Sequence, residues 1–482
     1  MESISIQKNF IASLVTTIFI GVMNVFYPIA IGLLFSLKQI AILAFILSWT
    51  QLLSIPISNG IGPASLRHIA AKRKSEVISI QSSSLYLALL CIILFNFLIP
   101  IIFHQLMHLS SIDLFLLITN AALSSFHVLF RLMLQGRELF QKVAKFEGFS
   151  FGTAAISFLV LYLINNYWPL LTSSFFLLLP ILINHLIFVL LAIKSMNLSL
   201  FNFRGVSRFA VYDIVSYAFF VGSGSIVSIG LVNLQIIIAE RLGNLETLGI
   251  FSFWNYITIP FEIIGIALGS LLLARMANLS KTGKNNEIQF AAILNESFSE
   301  VFIPLSIFLM FITFYFPFLF DLLTLDRFQA NYYWPIILMF FLRVLVSIMI
   351  IPSSSFISAS KVKYNIVIAI LMLITTVTTW IIFTKEQGLF ALPFGTFCGL
   401  FFAFIFEQVI LSYYNGRWSG IKAQRIIYIL FVLVSGFALA EISHPIVGFT
   451  FLVAFTPLVF VPGVKKIRKT IMKTQFLIVN SD

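Results

Sequence analysis

The sequence has very few charged residues. Asp, Glu, Lys and Arg make up only 10% of its 482 residues, whereas a soluble domain carries about 25%. It also has only two cysteines, Cys91 and Cys398, and both fall inside apolar runs without the spacing of a disulfide framework or a metal site. A chain this poor in charge cannot build the solvated surface of a soluble enzyme or of a nucleic-acid-binding protein.

Apolar residues take the place of the missing charges. Hydrophobic residues account for 60% of the chain, and Phe alone occurs 55 times. A membrane-spanning helix needs about 20 predominantly apolar residues, so the sequence predicts an all-α polytopic membrane protein with about 14 transmembrane helices. An alternative count is about 12 spans followed by a re-entrant or poorly separated final pair.

The positions of Lys and Arg predict the orientation of these helices. Of these 30 residues, 25 fall in segments on one side of the membrane. The exceptions are Lys38, Arg241, Arg327, Lys385 and the intramembrane Arg343. The positive-inside rule makes that side cytoplasmic. We therefore expect a multi-pass protein of the cytoplasmic (inner) membrane with both termini in the cytoplasm. The net charge of +12 then reflects orientation and implies no nucleic-acid partner.

An internal repeat divides the predicted helices into two halves. Shifting the sequence so that Arg67 meets Arg275 aligns 60–70 with 268–278 without a gap, and 134–142 resembles 357–365. Two six-helix lobes of the same orientation form a parallel repeat. The predicted division is an N-terminal lobe at 1–200, a C-terminal lobe at 201–415, and an additional helix pair with a basic cytoplasmic tail at 416–482.

Two loops carry recognisable motifs. The loop after the second span holds Gly62-Pro63, Arg67 and Lys72-Arg73-Lys74, and the loop after the fourth holds Leu134-Gln135-Gly136-Arg137, Phe140 and Lys145. With their counterparts at Arg275 and 358–363, these loops resemble those of the multidrug/oligosaccharidyl-lipid/polysaccharide (MOP) exporter superfamily. Within it, the chain most resembles the polysaccharide-transport, Wzx-like flippases.

The resemblance implies a function. A Wzx-like flippase moves an undecaprenyl-pyrophosphate-linked oligosaccharide repeat unit outward by alternating access, for assembly of O-antigen, capsule or exopolysaccharide. The implied partners are this lipid-linked oligosaccharide and membrane lipids, with polysaccharide polymerase and chain-length proteins as further candidates. No cofactor is implied except a coupling ion, H⁺ or Na⁺. The sequence has no phosphate loop or nucleophile elbow, so we expect no enzymatic activity.

Three charged residues lie deep in the predicted spans of the second lobe. They are Glu262, Arg343 and Glu407, and intramembrane charges are functional by default. We expect Arg343 to bind an anionic pyrophosphate. Glu262 and Glu407 are the candidate ion-coupling residues, and Glu262 would also face the cargo. The alternative is a buried ion pair that joins helices.

Neutral and basic residues complete the predicted binding site. Asn24 and Gln235 belong to polar stripes on the first and seventh spans, and Asn120 aligns with Arg343 in the repeat. Arg131 would contact cargo at the cavity entrance or anchor its helix at the membrane surface. His127 and His185 stand alone in apolar spans, where a helix-packing hydrogen bond or a protonation switch would explain each.

The basic loops have two expected uses. Arg67, Arg275, Arg137 and Lys142 fix the topology, and they would also attract anionic lipid headgroups to the cytoplasmic entrance.

Two other functions remain open. An ion-coupled multidrug or cation antiporter of the same fold would favour acidic residues deep in the first lobe. The apolar runs of that lobe place no acidic residue deep in the membrane. A membrane polysaccharide polymerase would need a longer outward loop than the one near 321–333.

Overall fold

The computed structural model is helical in every regular element of the described residues. These are Ala12, 15–23, 27–34, 36–71, 74–102, 110–137, 139–167, 174–196, 205–243, 245–259, 338–347, Met349 and 363–415. The predicted all-α fold class is thus confirmed for this part of the chain. The count of about 14 spans and the C-terminal helix pair stay predictions, because 416–482 and most of 260–362 lie outside the described residues.

We number the described helices in chain order. They are α1 (Tyr27–Leu34), α2 (Leu37–Ile55), α3 (Gly62–Ala71), α4 (Lys74–Cys91), α5 (Ile99–Ile102), α6 (Ser111–Gly136), α7 (Phe140–Tyr167), α8 (Ser174–Met196), α9 (Arg208–Leu242), α10 (Leu245–Thr258), α11 (Leu338–Ser347), α12 (Lys363–Gln387) and α13 (Ala391–Asn415). Short π-helical segments join α2 to α3 (Pro56–Ile61) and α4 to α5 (Ile92–Leu98).

Local sequence explains several of these boundaries. The side chain of Ser110 accepts a hydrogen bond from the backbone N–H of Asp113 at 3.1 Å, which caps the start of α6. Pro56 cannot donate a backbone hydrogen bond, and the π-helical segment begins at this residue. Gly388, with φ of 55°, starts the tight turn between α12 and α13.

Contacts divide the chain into two compact units. The first is 1–257 with 362–373, and the second is 258–361 with 374–482. The first unit contains α9 and all of α10 except its last residue, and both helices lie beyond the predicted lobe limit at residue 200. The predicted lobes and their repeat remain a prediction, since Arg275 and its neighbours lie outside the described residues.

Helix α6 is central to the first unit. It packs against α2, α3, α7 and α8, and its residues Leu129, Phe130 and Met133 are fully buried. Helix α9 packs against α2 and the π-helical segment that follows it. A Cβ atom on Gly222 would lie 3.4 Å from the Cα atom of Gly60, so small residues allow these two backbones to approach closely.

The outer surface of the helices is apolar. Six helical segments are long and apolar enough to cross a membrane, counting only the described residues. Large apolar side chains such as Phe115, Phe149 and Phe219 are more than 60% exposed. Such a surface would aggregate in water but suits contact with lipid tails. The protein is therefore a multi-pass membrane protein, as its composition predicts.

Candidate functional site

Four ionisable side chains from three helices meet inside the first unit. His127 Nε2 lies 2.8 Å from Glu147 Oε1, and His127 Nδ1 lies 2.9 Å from His185 Nδ1. Arg131 Nη1 lies 4.0 Å from the same Glu147 oxygen. The His127 and Glu147 side chains are only 5% and 2% exposed, so water screens their interaction weakly. We call these four residues the His–Glu cluster.

Helix geometry explains how the cluster forms. His127 and Arg131 are four residues apart on α6 and therefore lie on one face of that helix. The neighbouring helices α7 and α8, which both pack on α6, supply Glu147 and His185. The ring of Phe188 stacks on the His127 ring, with centroids 4.0 Å apart and planes 1° apart. This stacking fixes the plane in which the two nitrogens of His127 meet their partners.

His127 and Glu147 lie well inside helices α6 and α7. At a rise of 1.5 Å per residue, Glu147 is about 10 Å along α7 from Phe140, and His127 is about 14 Å along α6 from Gly136. The apolar core of a bilayer is about 30 Å thick. Under the predicted topology, the nearer ends of α6 and α7 face the cytoplasm, so the cluster lies in the cytoplasmic half of the membrane.

Glu147 corrects an expectation from the sequence. The apolar run of this span begins near residue 146, which places Glu147 at the membrane edge and leaves the first lobe without a deep acidic residue. The structure instead starts α7 at Phe140, and Glu147 is 2% exposed inside the unit. The sequence feature that could have identified this residue is a single acidic residue between Phe146 and Gly148. His127 and His185, which the sequence shows only as two separate histidines, contact each other.

Asn120 is buried and joins two helices. Its Nδ2 donates a hydrogen bond to Thr50 Oγ1 at 3.1 Å, which connects α6 to α2. Nearby, Asn96 Nδ2 donates to Ser125 Oγ at 3.2 Å. These contacts join helices across the apolar interior of the first unit. The expected role of Asn120 in cargo binding stays a prediction.

Three of the four predicted entrance residues lie in the described part of the first unit. The Arg67 guanidinium lies 4.4 Å from the centre of the Tyr217 ring, and Arg137 Nη2 donates to Gln81 Oε1. Partial burial lowers the pKa of Arg137 below its usual value. Lys142, by contrast, is exposed. Two of these three residues thus contact other side chains.

The remaining predicted site residues are spread over both units. In the second unit, Arg343 on α11 is 5% exposed and Glu407 on α13 is fully buried. In the first unit, Gln235 on α9 is 4% exposed. Their roles stay predictions. Asn24, Glu262 and Arg275 lie outside the described residues.

Solved structures resemble this chain over most of its length, although no protein-family model and no curated protein matches its sequence. A MOP superfamily transporter from Pyrococcus furiosus, whose binding pocket has reversed polarity, has a TM-score of 0.65 at 15% identity and covers 86% of this chain and 97% of its own. A MATE protein in the bent conformation has a TM-score of 0.61 at 14% identity, with coverages of 91% and 96%. The lipid II flippase MurJ, in an inward closed conformation, has a TM-score of 0.61 at 12% identity, with coverages of 96% and 99%.

This chain has the fold of the MOP superfamily transporters. The resemblance that its loop motifs indicated is therefore confirmed at the level of the fold. Other structures with this fold are multidrug resistance MATE family transporters, so the MOP fold serves both a lipid flippase and drug transporters. The fold does not decide the cargo, and the Wzx-like subtype stays a prediction that depends on particular side chains.

Proposed function

We propose that this protein is a flippase that moves an undecaprenyl-pyrophosphate-linked oligosaccharide repeat unit outward across the cytoplasmic membrane by alternating access. The observation that carries this proposal is the buried Arg343. Helix α11 is apolar apart from Arg343 and Ser347, and the arginine side chain is 5% exposed. An arginine at the centre of a membrane costs roughly 2.5–3.5 kcal/mol on insertion scales.

Arginine suits this cargo chemically. Its guanidinium group presents a planar set of N–H donors that match the oxygens of a phosphate in pairs, and it stays charged when buried. A pyrophosphate carries negative charge at the one position that every lipid-linked repeat unit shares, whatever its sugars are. Binding through Arg343 would therefore recognise the carrier lipid and leave the sugar free to vary.

The basic residues of the first unit support the same proposal. Arg67 and Arg137 lie near the predicted cytoplasmic ends of α3 and α6, on the side where lipid-linked units are made. Each basic residue near an anionic membrane surface contributes about 1 kcal/mol of attraction for negative headgroups. These residues would raise the local concentration of the anionic lipid at the entrance.

An ion-coupled multidrug or cation antiporter is the second candidate function. Glu147 favours it, because a buried acid in the first unit removes the sequence argument against this class. The surroundings of Glu147 weigh against direct binding of a cationic drug, however. Arg131 and His127 lie beside the carboxylate, and His185 contacts His127, so among the described residues the site has no excess of negative charge.

Deletion of the gene tests the proposed function. A flippase deletion leaves lipid-linked repeat units on the cytoplasmic face and no polymer at the surface. If the units reach the outer leaflet while polymer is missing, the protein is a polymerase. If surface polymer is unchanged and drug sensitivity rises, the antiporter is correct.

Complementation of the deletion strain tests Arg343. We expect Arg343→Ala to abolish polymer export at normal protein levels and Arg343→Lys to restore only part of it, since lysine cannot pair with two phosphate oxygens at once. Arg241→Ala is the matched control, because Arg241 is 47% exposed. Full export by Arg343→Ala would remove this residue from the cargo site.

A further inference from the structure

A chain of hydrogen bonds runs from His185 through His127 to Glu147. A neutral imidazole has one N–H donor and one acceptor nitrogen, whereas an ionised carboxylate only accepts. His127 Nε2 must therefore donate to Glu147 Oε1, which leaves His127 Nδ1 as an acceptor. His185 Nδ1 then donates to His127 Nδ1, and His185 Nε2 is the acceptor nitrogen at the outer end. The observed distances of 2.8 and 2.9 Å fit this arrangement when Glu147 is ionised.

When one proton is added, the same three side chains can form equally complete hydrogen bonds in which every donor and acceptor is exchanged. A proton binds to His185 Nε2, the proton on His185 Nδ1 passes to His127 Nδ1, and the proton on His127 Nε2 passes to Glu147 Oε1. Both histidines end neutral with exchanged tautomers, and Glu147 ends as a carboxylic acid that donates to His127. One proton enters, and no other reactant is needed.

We propose that the His–Glu cluster is a proton-binding site in which His185 and His127 relay one proton to Glu147, and that this proton releases Arg131 from its ion pair. The proposal deepens the proposed transport function, on which it rests, by naming where a coupling proton binds. The relay itself depends only on these four side chains.

The charges around the cluster favour delivery of the proton to Glu147. With the proton on Glu147, Arg131 is the single charge of the cluster. With the proton kept on His185, three charges share a site from which water is largely excluded, and burial disfavours each of them.

Helices packed against the cluster add little charge of their own. Helix α2 packs on both α6 and α8, and its one ionisable residue, Lys38, is exposed at its start. On α3, which also packs on α6, the ionisable residues are Arg67 and His68, and both contact Tyr217. Among the described residues, Arg131 is the permanently charged side chain that the structure shows in contact with Glu147.

Protonation of Glu147 affects transport through Arg131. The Glu147 oxygen that receives the proton is also the one 4.0 Å from Arg131 Nη1, so protonation removes the counter-charge of the guanidinium. Arg131 then attracts an anion more strongly. Because coupling between two binding events is reciprocal, an anion at Arg131 also makes proton binding more favourable.

Infrared difference spectroscopy on the purified full-length protein in lipid nanodiscs tests the proton site without any cargo. Spectra are compared at about pH 8 and about pH 4, an interval that contains the reference pKa values of both histidine and glutamate side chains. We expect the carbonyl band of one buried carboxylic acid to appear at the lower pH and to be absent in Glu147→Gln. Glu246→Gln is the control, because Glu246 is 62% exposed, and its band should equal that of the wild type. An unchanged band in Glu147→Gln would overturn the proposal.

Nitrogen NMR of the wild-type protein labelled at histidine gives a second test that needs no variant. We expect His127 to carry its hydrogen on Nε2 and His185 on Nδ1 at the higher pH, and both to exchange tautomers at the lower pH. A doubly protonated His185 beside an ionised Glu147 would exclude the relay. In that case a normal result in the polymer-export assay would still leave the proposed flippase function standing.

Discussion

The guanidinium of Arg67 lies 4.4 Å from the centre of the Tyr217 ring. The neighbouring His68 meets the same ring edge to face, with centroids 6.2 Å apart. Arg67 and His68 belong to α3, in the loop motif that resembles the MOP superfamily, whereas Tyr217 belongs to α9. One aromatic ring thus joins the predicted cytoplasmic end of α3 to a helix more than 100 residues later in the chain.

This contact predicts a graded effect on stability. We expect Tyr217→Leu to lower the thermal unfolding midpoint of the purified protein, because it removes a cation–π interaction of about 0.5–2 kcal/mol. Tyr217→Phe keeps the ring and should lose less. Equal losses in the two variants would show that the ring face contributes nothing.

Gly136 allows α6 and α3 to approach closely. A Cβ atom at this position would lie 3.1 Å from the Ile69 Cβ atom and 3.1 Å from the Leu66 carbonyl oxygen. We expect Gly136→Ala to destabilise the protein by about 1–3 kcal/mol through overpacking, measured as a fall in the unfolding midpoint in detergent.

Gly152 provides a matched control on the next helix. A Cβ atom there meets nothing within 4 Å, so Gly152→Ala should stabilise α7 by roughly 0.5–1 kcal/mol through its helix preference. If both substitutions shift the midpoint in the same direction, the close approach at Gly136 is not what constrains this residue.

Asn120 and Thr50 should be coupled energetically. Single substitutions Asn120→Ala and Thr50→Ala each break the hydrogen bond between α6 and α2, so the double variant should lose less stability than the sum of the two. Interhelical hydrogen bonds in membrane proteins have coupling energies of about 0.6 kcal/mol. Additive effects would contradict the contact. Loss of polymer export by Asn120→Ala at full stability would favour the cargo-binding role.

The ion pair between Lys38 and Glu246 should contribute little. Their charged atoms are 3.8 Å apart, and the side chains are 63% and 62% exposed. Exposed pairs of this kind contribute about 0–1 kcal/mol. We expect Lys38→Ala to leave the unfolding midpoint unchanged within error and to be insensitive to added salt. A clear loss of stability would mean that this pair is more shielded than its exposure indicates.

Several helices of the first unit follow from the sequence pattern. Apolar runs of membrane-spanning length predict α4, α6 and α8 near their observed positions, because a backbone in lipid must satisfy its hydrogen bonds within its own helix. The start of α7 was less predictable. Its first two turns contain Gln141, Lys142 and Lys145, and these polar residues hide a helix that begins before the apolar run.

The candidate site was only partly predictable. His127 and His185 stand out in the sequence because they are polar residues inside apolar spans. Arg343 stands out because charged residues inside the membrane are functional by default. The contact between the two histidines, and the buried acid beside them, depend on how α6, α7 and α8 rotate against one another. Residue spacing within one helix says nothing about this rotation.

Hydropathy and charge along the chain are enough to specify lipid as the solvent, helices as the secondary structure and an expected orientation in the membrane. Each residue prefers lipid or water, and one side of the membrane or the other, largely independently of its distant neighbours. These preferences can therefore be added along the chain. The tertiary structure alone decided which polar groups meet. Glu147, His127 and His185 come from three helices, and a proton relay exists only when packing holds their atoms within hydrogen-bond distance.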